Sequence, residues 1–203
     1  ERVQKSGAIF DITKLDWMNG EYIRKKSSAE LTKLCIPYLE DFLKFSIPPD
    51  SQRESRILDS AKRNRDNSQF PKEYIERVVA LEQPRIKKLS EIGERVDYFF
   101  RDPEYDKELL RWKKMEEDAI RESLDKSYNL ISSFSIKKAT ISKEEIEKSF
   151  LEMIGEGDKG SVLWPLRVAL TGKKASPGPF EILSVMPKEI ALKRIKAAIH
   201  LVS

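Results

Sequence analysis

Residues 27–42, with the sequence SSAELTKLCIPYLEDF, decide the fold class of this chain. Ser27 and Glu30 have the spacing of a capping box, in which each side chain accepts a hydrogen bond from the backbone N–H of the other residue. The apolar residues that follow recur every three or four positions and so form one stripe along a helix. Pro37 lies inside the stripe and is expected to kink the helix. The residues of the stripe are Leu31, Leu34, Cys35, Tyr38, Leu39 and Phe42.

The same spacing predicts further helices along the 203 residues. No run alternates strictly between apolar and polar residues, so little or no sheet is expected. The predicted fold class is therefore all-α. The predicted helices are 72–82, 84–93 beginning at Pro84, about 105–133 as the longest, 143–154 behind a second capping box at Ser142 and stopped by Gly155, 161–171 stopped by Gly172, a short one opened by Pro179, and 187 to the end.

Two stretches interrupt this helical pattern. Residues 98–103, YFFRDP, break the periodicity and give the predicted domain boundary. The highly charged residues 50–66 are expected to form a solvated surface segment, either a mobile loop or a polar helix.

The composition argues against catalysis within this chain. Cys35 is the only cysteine, which excludes an internal disulfide and a multi-cysteine zinc site, and its place on the apolar stripe predicts a core residue in a reducing, cytosolic protein. His200 is the only histidine, so imidazole pairs and multi-histidine metal sites are excluded. Residues 155–160, GEGDKG, lack the spacing and the preceding strand of a phosphate-cradling loop. We expect a binding protein with no catalytic or metal-ligating residues.

The charge distribution favours an anionic partner. The formal net charge is +4, but residues 161–203 hold seven basic residues against two acidic ones. Such a local excess is typical of nucleic-acid binding, although a solvated basic face without any ligand has the same composition. No apolar run is long enough to cross a bilayer, and no leader opens the chain. We therefore expect no membrane partner.

Three blocks of the sequence resemble bacterial-type glutamyl-tRNA synthetases. Residues 5–24, KSGAIFDITKLDWMNGEYIR, are similar to the segment that follows the catalytic lysine-rich loop of that family. Residues 164–172, WPLRVALTG, and residues 176–183, SPGPFEIL, are similar to its anticodon-reading end. Two positions depart from the family pattern, because Glu21 stands where a histidine is common and Pro179 where a leucine is common.

The resemblance implies two helical subdomains in a curved cage that receives the anticodon loop of glutamate tRNA. Residues 1–100 would complete the stem-contact region and form the first subdomain, and residues 101–203 would form the second. The parent enzyme would be a cytoplasmic glutamate–tRNA ligase that uses ATP and Mg²⁺, with its catalytic domain upstream. This chain alone would then hold no cofactor, have no ligase activity, and bind tRNA but not DNA.

The resemblance also assigns site residues. Arg167, in Pro-Leu-Arg, and Ser176, before Pro-Gly, match base-reading positions of the family, and Arg85 is the best match for the arginine that reads the third anticodon base. Splayed single-stranded bases are recognised through their edges and by stacking, so a glycine-bounded loop carrying lysines suits this purpose. We expect Lys173 and Lys174 to meet phosphates, with Gly178 and Phe180 completing the site. For Trp17 and Trp164 we favour core packing over base stacking.

Two other functions remain open from the sequence alone. One is a helical protein–protein adaptor whose basic end is incidental. The other is a free-standing paralogue that binds RNA without charging it.

Overall fold

A computed structural model describes residues 11–46, 70–134 and 142–202. Within these ranges the chain forms α-helices and short 3-10 turns and no strand, which confirms the all-α fold class. The predictions for residues 5–10 and 50–66 lie outside the described residues. The helices are α1 (Ile12–Arg24), α2 (Ser28–Ser46), α3 (Lys72–Glu82), α4 (Ile92–Val96), α5 (Glu117–Ser133), α6 (Lys143–Ile154), α7 (Lys159–Thr171), α8 (Pro179–Val185) and α9 (Lys188–Leu201).

Helix α2 begins at the predicted capping box. The backbone N–H of Glu30 donates to Ser27 Oγ at 3.3 Å, and the N–H of Ser27 donates to Glu30 Oε2 at 3.2 Å. Cys35 is fully buried, and burial raises the pKa of its thiol to about 11, so its prediction as a core residue is confirmed. The buried stripe is narrower than predicted, because Leu34 and Tyr38 are exposed.

The predicted helix over 105–133 was wrong in its first part. Helix α5 begins only at Glu117, and the preceding residues form a 3-10 turn, Lys107–Leu110, and an irregular segment. Lys113 has a φ of 53°, in the left-handed region that ends helical geometry. This turn directs Trp112 towards Trp164, with ring centroids 5.4 Å apart. Leu109 and Trp112, which have helical spacing, are here partly buried from a segment that is not α-helical.

The predicted helix 84–93 was also wrong. Residues 84–88 form turns, Leu89–Glu91 is a 3-10 turn, and α4 runs through Gly93 instead of ending there. A Cβ on Gly93 would lie 2.5 Å from Cγ of Phe42, so this glycine lets α4 pack closely against α2. Gly93 is a packing residue and not a helix stop.

Helix α1 packs against the rest of the protein through one of its faces. The Asn19 side chain donates to the Lys87 carbonyl, and Asp16 pairs with Lys88 at 3.0 Å. Trp17 is on the other side and is 58% exposed, so the prediction of core packing for Trp17 was wrong. Trp164 is partly buried, and its Nε1 donates to the Leu109 carbonyl at 2.8 Å, as expected of a packing residue.

A single hydrophobic cluster joins the helices that come before and after the predicted boundary. Tyr98 and Phe99 belong to this cluster, α3 contacts α8, and α9 packs on both α5 and α7. Arg194 of α9 is 5% exposed and donates to the Leu170 carbonyl at 2.7 Å and to the Arg101 carbonyl at 2.8 Å. It thereby ties the end of α7 to the segment after the buried aromatic pair. The division at residue 100 stays a prediction.

Candidate nucleic-acid interface

The connection between α7 and α8, residues 172–178, is called the α7–α8 loop below. Gly172 ends α7 with a φ of 67°, and a Cβ there would lie 2.9 Å from Cβ of Pro103. Thr171 Oγ1 donates to the Arg167 carbonyl at 2.8 Å and accepts the N–H of Lys173 at 3.1 Å. The start of the loop is therefore fixed both by a glycine-specific conformation and by a side-chain hydroxyl.

Arg167 lies one turn before this loop and is partly buried. Its guanidinium carbon is 4.6 Å from the centre of the Trp164 ring, and Nη2 donates to the Lys174 carbonyl at 3.0 Å. Its Nε is buried and has no hydrogen-bond partner among the described residues. Burial lowers the pKa of this guanidinium, and the nearby charge of Arg85 lowers it further. Arg167 is a positioned cation with unused donor capacity.

Arg85 reaches the same region from the end of α3, 82 positions earlier in the chain. Its side chain is 38% exposed, and its Nε lies 3.6 Å from Oε2 of Glu82. The charge of Arg85 lowers the pKa of Arg167 and that of Glu181. Glu181 lies in the first turn of α8. The structure therefore brings together two of the predicted base-reading residues, Arg85 and Arg167.

The side chains of Ser176 and Phe180 point into the protein, and Gly178 contacts it through its backbone N–H. Ser176 is 8% exposed, and its Oγ donates to the Pro177 carbonyl at 3.0 Å. The N–H of Gly178 donates to Glu181 Oε2 at 2.7 Å, as part of the N-terminal cap of α8. Phe180 is buried, with its ring centroid 5.5 Å from that of Phe150. In this conformation these three residues shape the loop from inside.

The two loop lysines have different surroundings. Lys173 Nζ pairs with Asp97 Oδ1 at 2.8 Å, donates to the Glu94 carbonyl and lies 5.9 Å from the centre of the Tyr98 ring. Lys174 is exposed and offers only its backbone carbonyl to Arg167. Of these two predicted phosphate ligands Lys174 is thus the more accessible, whereas Lys173 also joins the loop to the end of α4.

The basic excess of residues 161–203 is largely used within the protein. Lys193 pairs with Asp102 at 2.6 Å, and Lys188 donates to the carbonyls of Ser132 and Phe134. Arg194 is buried, Lys173 is paired and Arg167 donates to the Lys174 carbonyl, so five of the seven basic residues are held by the chain itself. The charge count therefore exaggerated the basic surface that remains for a ligand.

Glu82, which was not among the residues predicted from the sequence, lies beside the cations of Arg85 and Arg95. It is 1% exposed, its Oε2 has no hydrogen-bond partner among the described residues, and Arg95 Nη1 is 3.9 Å away. Burial raises the pKa of its carboxyl, while Arg85 and Arg95 oppose that rise. The signal was present, because Glu82 follows Val78 and Val79 at helical spacing and so extends the apolar stripe of α3.

The residues present do not fit the ATP and Mg²⁺ that the resemblance implies for the parent enzyme. A Cβ on Gly160 would lie 2.3 Å from the Trp112 ring, so the space beside this glycine is already filled. Asp158 caps α7 and receives the Trp112 Nε1–H at 3.2 Å, which places a carboxylate where a phosphate would bind. In the described ranges, no three His, Cys, Asp or Glu side chains are grouped to hold a metal ion. No helix within those ranges is long and apolar enough to cross a membrane.

Comparisons with known proteins agree on one family. The chain is 36% identical to a glutamate–tRNA ligase from Clostridium tetani over 204 residues, which covers 98% of this chain and 36% of that protein. It is 34% identical to a glutamate–tRNA ligase from Clostridium kluyveri over 202 residues, with the same two shares. The chain therefore spans little more than a third of the length of these relatives.

The fold is similar to that of a glutamate tRNA ligase from Elizabethkingia meningosepticum whose crystal structure contains its amino acid. The TM-score is 0.66 at 22% identity, and the match covers 99% of this chain and 34% of the other. These relatives confirm the resemblance to glutamyl-tRNA synthetases. Residues 30–199 match the family described as the anticodon binding domain, so the chain belongs to the anticodon-binding domain family, in the form found in glutamate–tRNA ligases.

Proposed function

We propose that the chain binds the anticodon loop of glutamate tRNA as the C-terminal part of a glutamyl-tRNA synthetase. The observation that carries this proposal is the convergence of Arg85 and Arg167 beside the α7–α8 loop. Arg167 has an unused, buried Nε and no carboxylate within ion-pairing distance in the described part of the chain. A planar, desolvated guanidinium fork in this setting suits the acceptor edge of an unstacked base.

The resemblance suggests which base each arginine reads, and the surroundings suggest how each residue of the site acts. Arg167 reads one base edge, taken as that of the first anticodon base, and Arg85 reads the third. Lys174 contacts the phosphate backbone, and Lys173 joins it while holding the loop against α4. Ser176 becomes a base ligand only if its bond to the Pro177 carbonyl is exchanged, since its hydroxyl is buried. Gly178 and Phe180 support the loop through the cap and the core contact of α8.

The whole-protein activity is part of the same proposal. The parent protein would be a cytoplasmic ligase that attaches glutamate to tRNA with ATP and Mg²⁺. Those cofactors would bind in the roughly two thirds of the relatives that this chain does not match. We also keep the proposed division into residues 1–100 and 101–203, with Arg85 in the first part and Arg167 in the second.

The test is binding of the 203-residue chain to labelled anticodon stem-loops. One stem-loop carries the glutamate anticodon, the second is changed at its first base, and the third keeps the stem but has a scrambled loop. We expect the first to bind tightest, with log affinity falling against log salt by about 0.7 for each phosphate contacted. Equal affinity for all three loops would overturn anticodon recognition, and binding that does not change with salt would overturn RNA binding itself and favour a protein–protein adaptor.

A further inference from the structure

An aromatic stack lies directly behind Arg167. Trp164 precedes Arg167 by three residues on α7, so both side chains lie on one face of the helix. The Trp164 ring also contacts Trp112, at 5.4 Å between centroids and an interplanar angle of 39°. Trp164 therefore contacts both Trp112 and the guanidinium of Arg167, whose central carbon is 4.6 Å from the Trp164 ring centre.

The indole N–H of each tryptophan donates a hydrogen bond that fixes its ring. Trp164 Nε1 donates to the Leu109 carbonyl at 2.8 Å, which locks the orientation of the ring. Trp112 Nε1 donates to Asp158 Oδ2 at 3.2 Å, and the ring fills the space beside Gly160. Leu109 and Trp112 belong to the stretch that runs from the 3-10 turn Lys107–Leu110 to the left-handed Lys113. Each ring of this platform of Trp112 and Trp164 is thus held by its own hydrogen bond as well as by the contact between the two rings.

Arg167 depends on this platform because little else holds its guanidinium. The one carbonyl that receives its Nη2 belongs to Lys174, an exposed residue of the α7–α8 loop. Its Nε has no partner among the described residues. An arginine side chain loses rotamer entropy when its guanidinium is held in one position. The indole face limits that freedom by fixing the plane of the cation, since the ring quadrupole attracts it.

We propose that Trp164 is a positioning residue for anticodon discrimination, which it exerts by fixing the plane of the Arg167 guanidinium. This inference rests on the proposed function. Trp164 is assigned no base contact of its own, since its ring is already contacted by the Arg167 guanidinium and by Trp112. The base edge is contacted by Arg167, and Trp164 acts on it only through Arg167. Loss of the indole face should remove sequence discrimination while the lysine contacts to phosphate remain.

The experiment compares Trp164→Leu, Trp164→Phe and Arg167→Ala with the wild-type chain, and uses Trp17→Leu as the matched control. Trp17 is 58% exposed on α1 and has no place in the proposed site. The readout is the ratio of affinities for the glutamate stem-loop and the first-base variant. Melting followed by circular dichroism establishes that each variant is folded.

We expect Arg167→Ala and Trp164→Leu to lower the discrimination ratio by similar factors, within the range of about 5- to 150-fold for one base-edge contact. The double variant should lose no more than Arg167→Ala alone, because the two residues act as one unit. Trp164→Phe should lie between, since it keeps an aromatic face but loses the bond to the Leu109 carbonyl. Trp17→Leu should leave the ratio unchanged.

A second readout needs no RNA. The Nε–H proton of Arg167 should show an upfield NMR shift from the Trp164 ring current, reduced in Trp164→Phe and lost in Trp164→Leu. A folded Trp164→Leu with wild-type discrimination would overturn the inference and leave the proposed function intact. If Trp164→Leu does not fold, unchanged shift and discrimination in Trp164→Phe overturn it instead. A wild-type chain that binds no stem-loop refutes the proposed function and the positioning role together.

Discussion

Lys173, in the loop after α7, pairs with Asp97 at the end of α4 at a distance of 2.8 Å. Asp97 also accepts the backbone N–H of Tyr98 at 2.8 Å and lies 3.2 Å from Nη2 of Arg101. The pair therefore connects the loop that carries the proposed site to the buried aromatic segment between the two predicted subdomains. Lys173 has a structural role that Lys174 lacks, and this difference can be measured.

Lys173→Ala should lower both stability and RNA affinity. The pair is mostly shielded from water, so its loss should cost up to about 1 kcal/mol and lower the melting temperature by a few degrees. Lys174→Ala should reduce affinity for every stem-loop and flatten the salt slope, but leave the melting temperature unchanged. Thermal melts and salt titrations of both variants check this. Equal melting losses in the two variants would refute the structural role of Lys173.

Arg167→Ala should cost about 1–3 kcal/mol of discrimination between the glutamate stem-loop and its first-base variant. The physical reason is the loss of a guanidinium fork that hydrogen-bonds one base edge. Arg121→Ala is the matched control, because Arg121 is an exposed arginine on α5 that faces Asp125. If affinity for both loops falls by one common factor, Arg167 is only a phosphate ligand. If neither affinity changes, Arg167 is not part of the site.

Glu82→Gln should stabilise the protein relative to wild type as pH rises from about 4 to about 7. Burial raises the pKa of Glu82, so the folded state binds its proton more tightly than the unfolded state does. Stability contributed by the protonated form is therefore lost as pH rises through the folded pKa. Urea unfolding of both proteins across this pH range gives the difference. A difference that stays constant with pH would show that the pKa of Glu82 is not raised.

Gly160→Ala should destabilise the protein by about 1–3 kcal/mol, as overpacking does. Its new methyl group would meet the rigid Trp112 ring at 2.3 Å. In a Trp112→Leu background, where this ring is absent, the same substitution should cost much less. Urea unfolding of the four proteins gives the coupling. Independent, additive effects would refute the contact.

The chain alone should neither form an aminoacyl-adenylate nor charge tRNA. The glycine segment 155–160 has no room for a phosphate beside Trp112, as described above. Pyrophosphate exchange and charging assays check this, with an intact glutamate–tRNA ligase as the positive control. Exchange above background in a preparation free of host synthetase would refute the assignment of ATP to another part of the parent protein.

The sequence predicted a helix correctly wherever apolar spacing, capping residues and terminal glycines agreed. Helix α3 has the predicted bounds, and the Ser142–Glu145 capping box and the glycine after Thr171 mark the ends of α6 and α7 as expected. The predicted helix was wrong over residues 105–116 because Leu109 and Trp112 have helical spacing yet are partly buried from a turn. Periodicity reports which residues are buried, but not the backbone path that buries them.

The candidate site was predictable only in its parts. The resemblance pointed to Arg167 and, more loosely, to Arg85, and the structure brings both to one region. The inward orientation of Ser176 could not be read from the sequence, because it depends on how α8 closes over the loop. Nor could the pairing of Lys173, whose carboxylate partner lies 76 positions earlier. Contacts between distant segments decide which charges stay accessible.

The buried Arg194 has a consequence for biosynthesis. Leu170, whose carbonyl receives the Arg194 guanidinium, is made 24 residues earlier. At about 5–20 residues per second, the ribosome adds those residues in roughly one to five seconds. In the last part of that interval residues 172–178 have all been joined, but Arg194, which donates to the Leu170 carbonyl at the end of α7, has not. A nascent chain should therefore acquire RNA-binding competence only after α9 has left the exit tunnel.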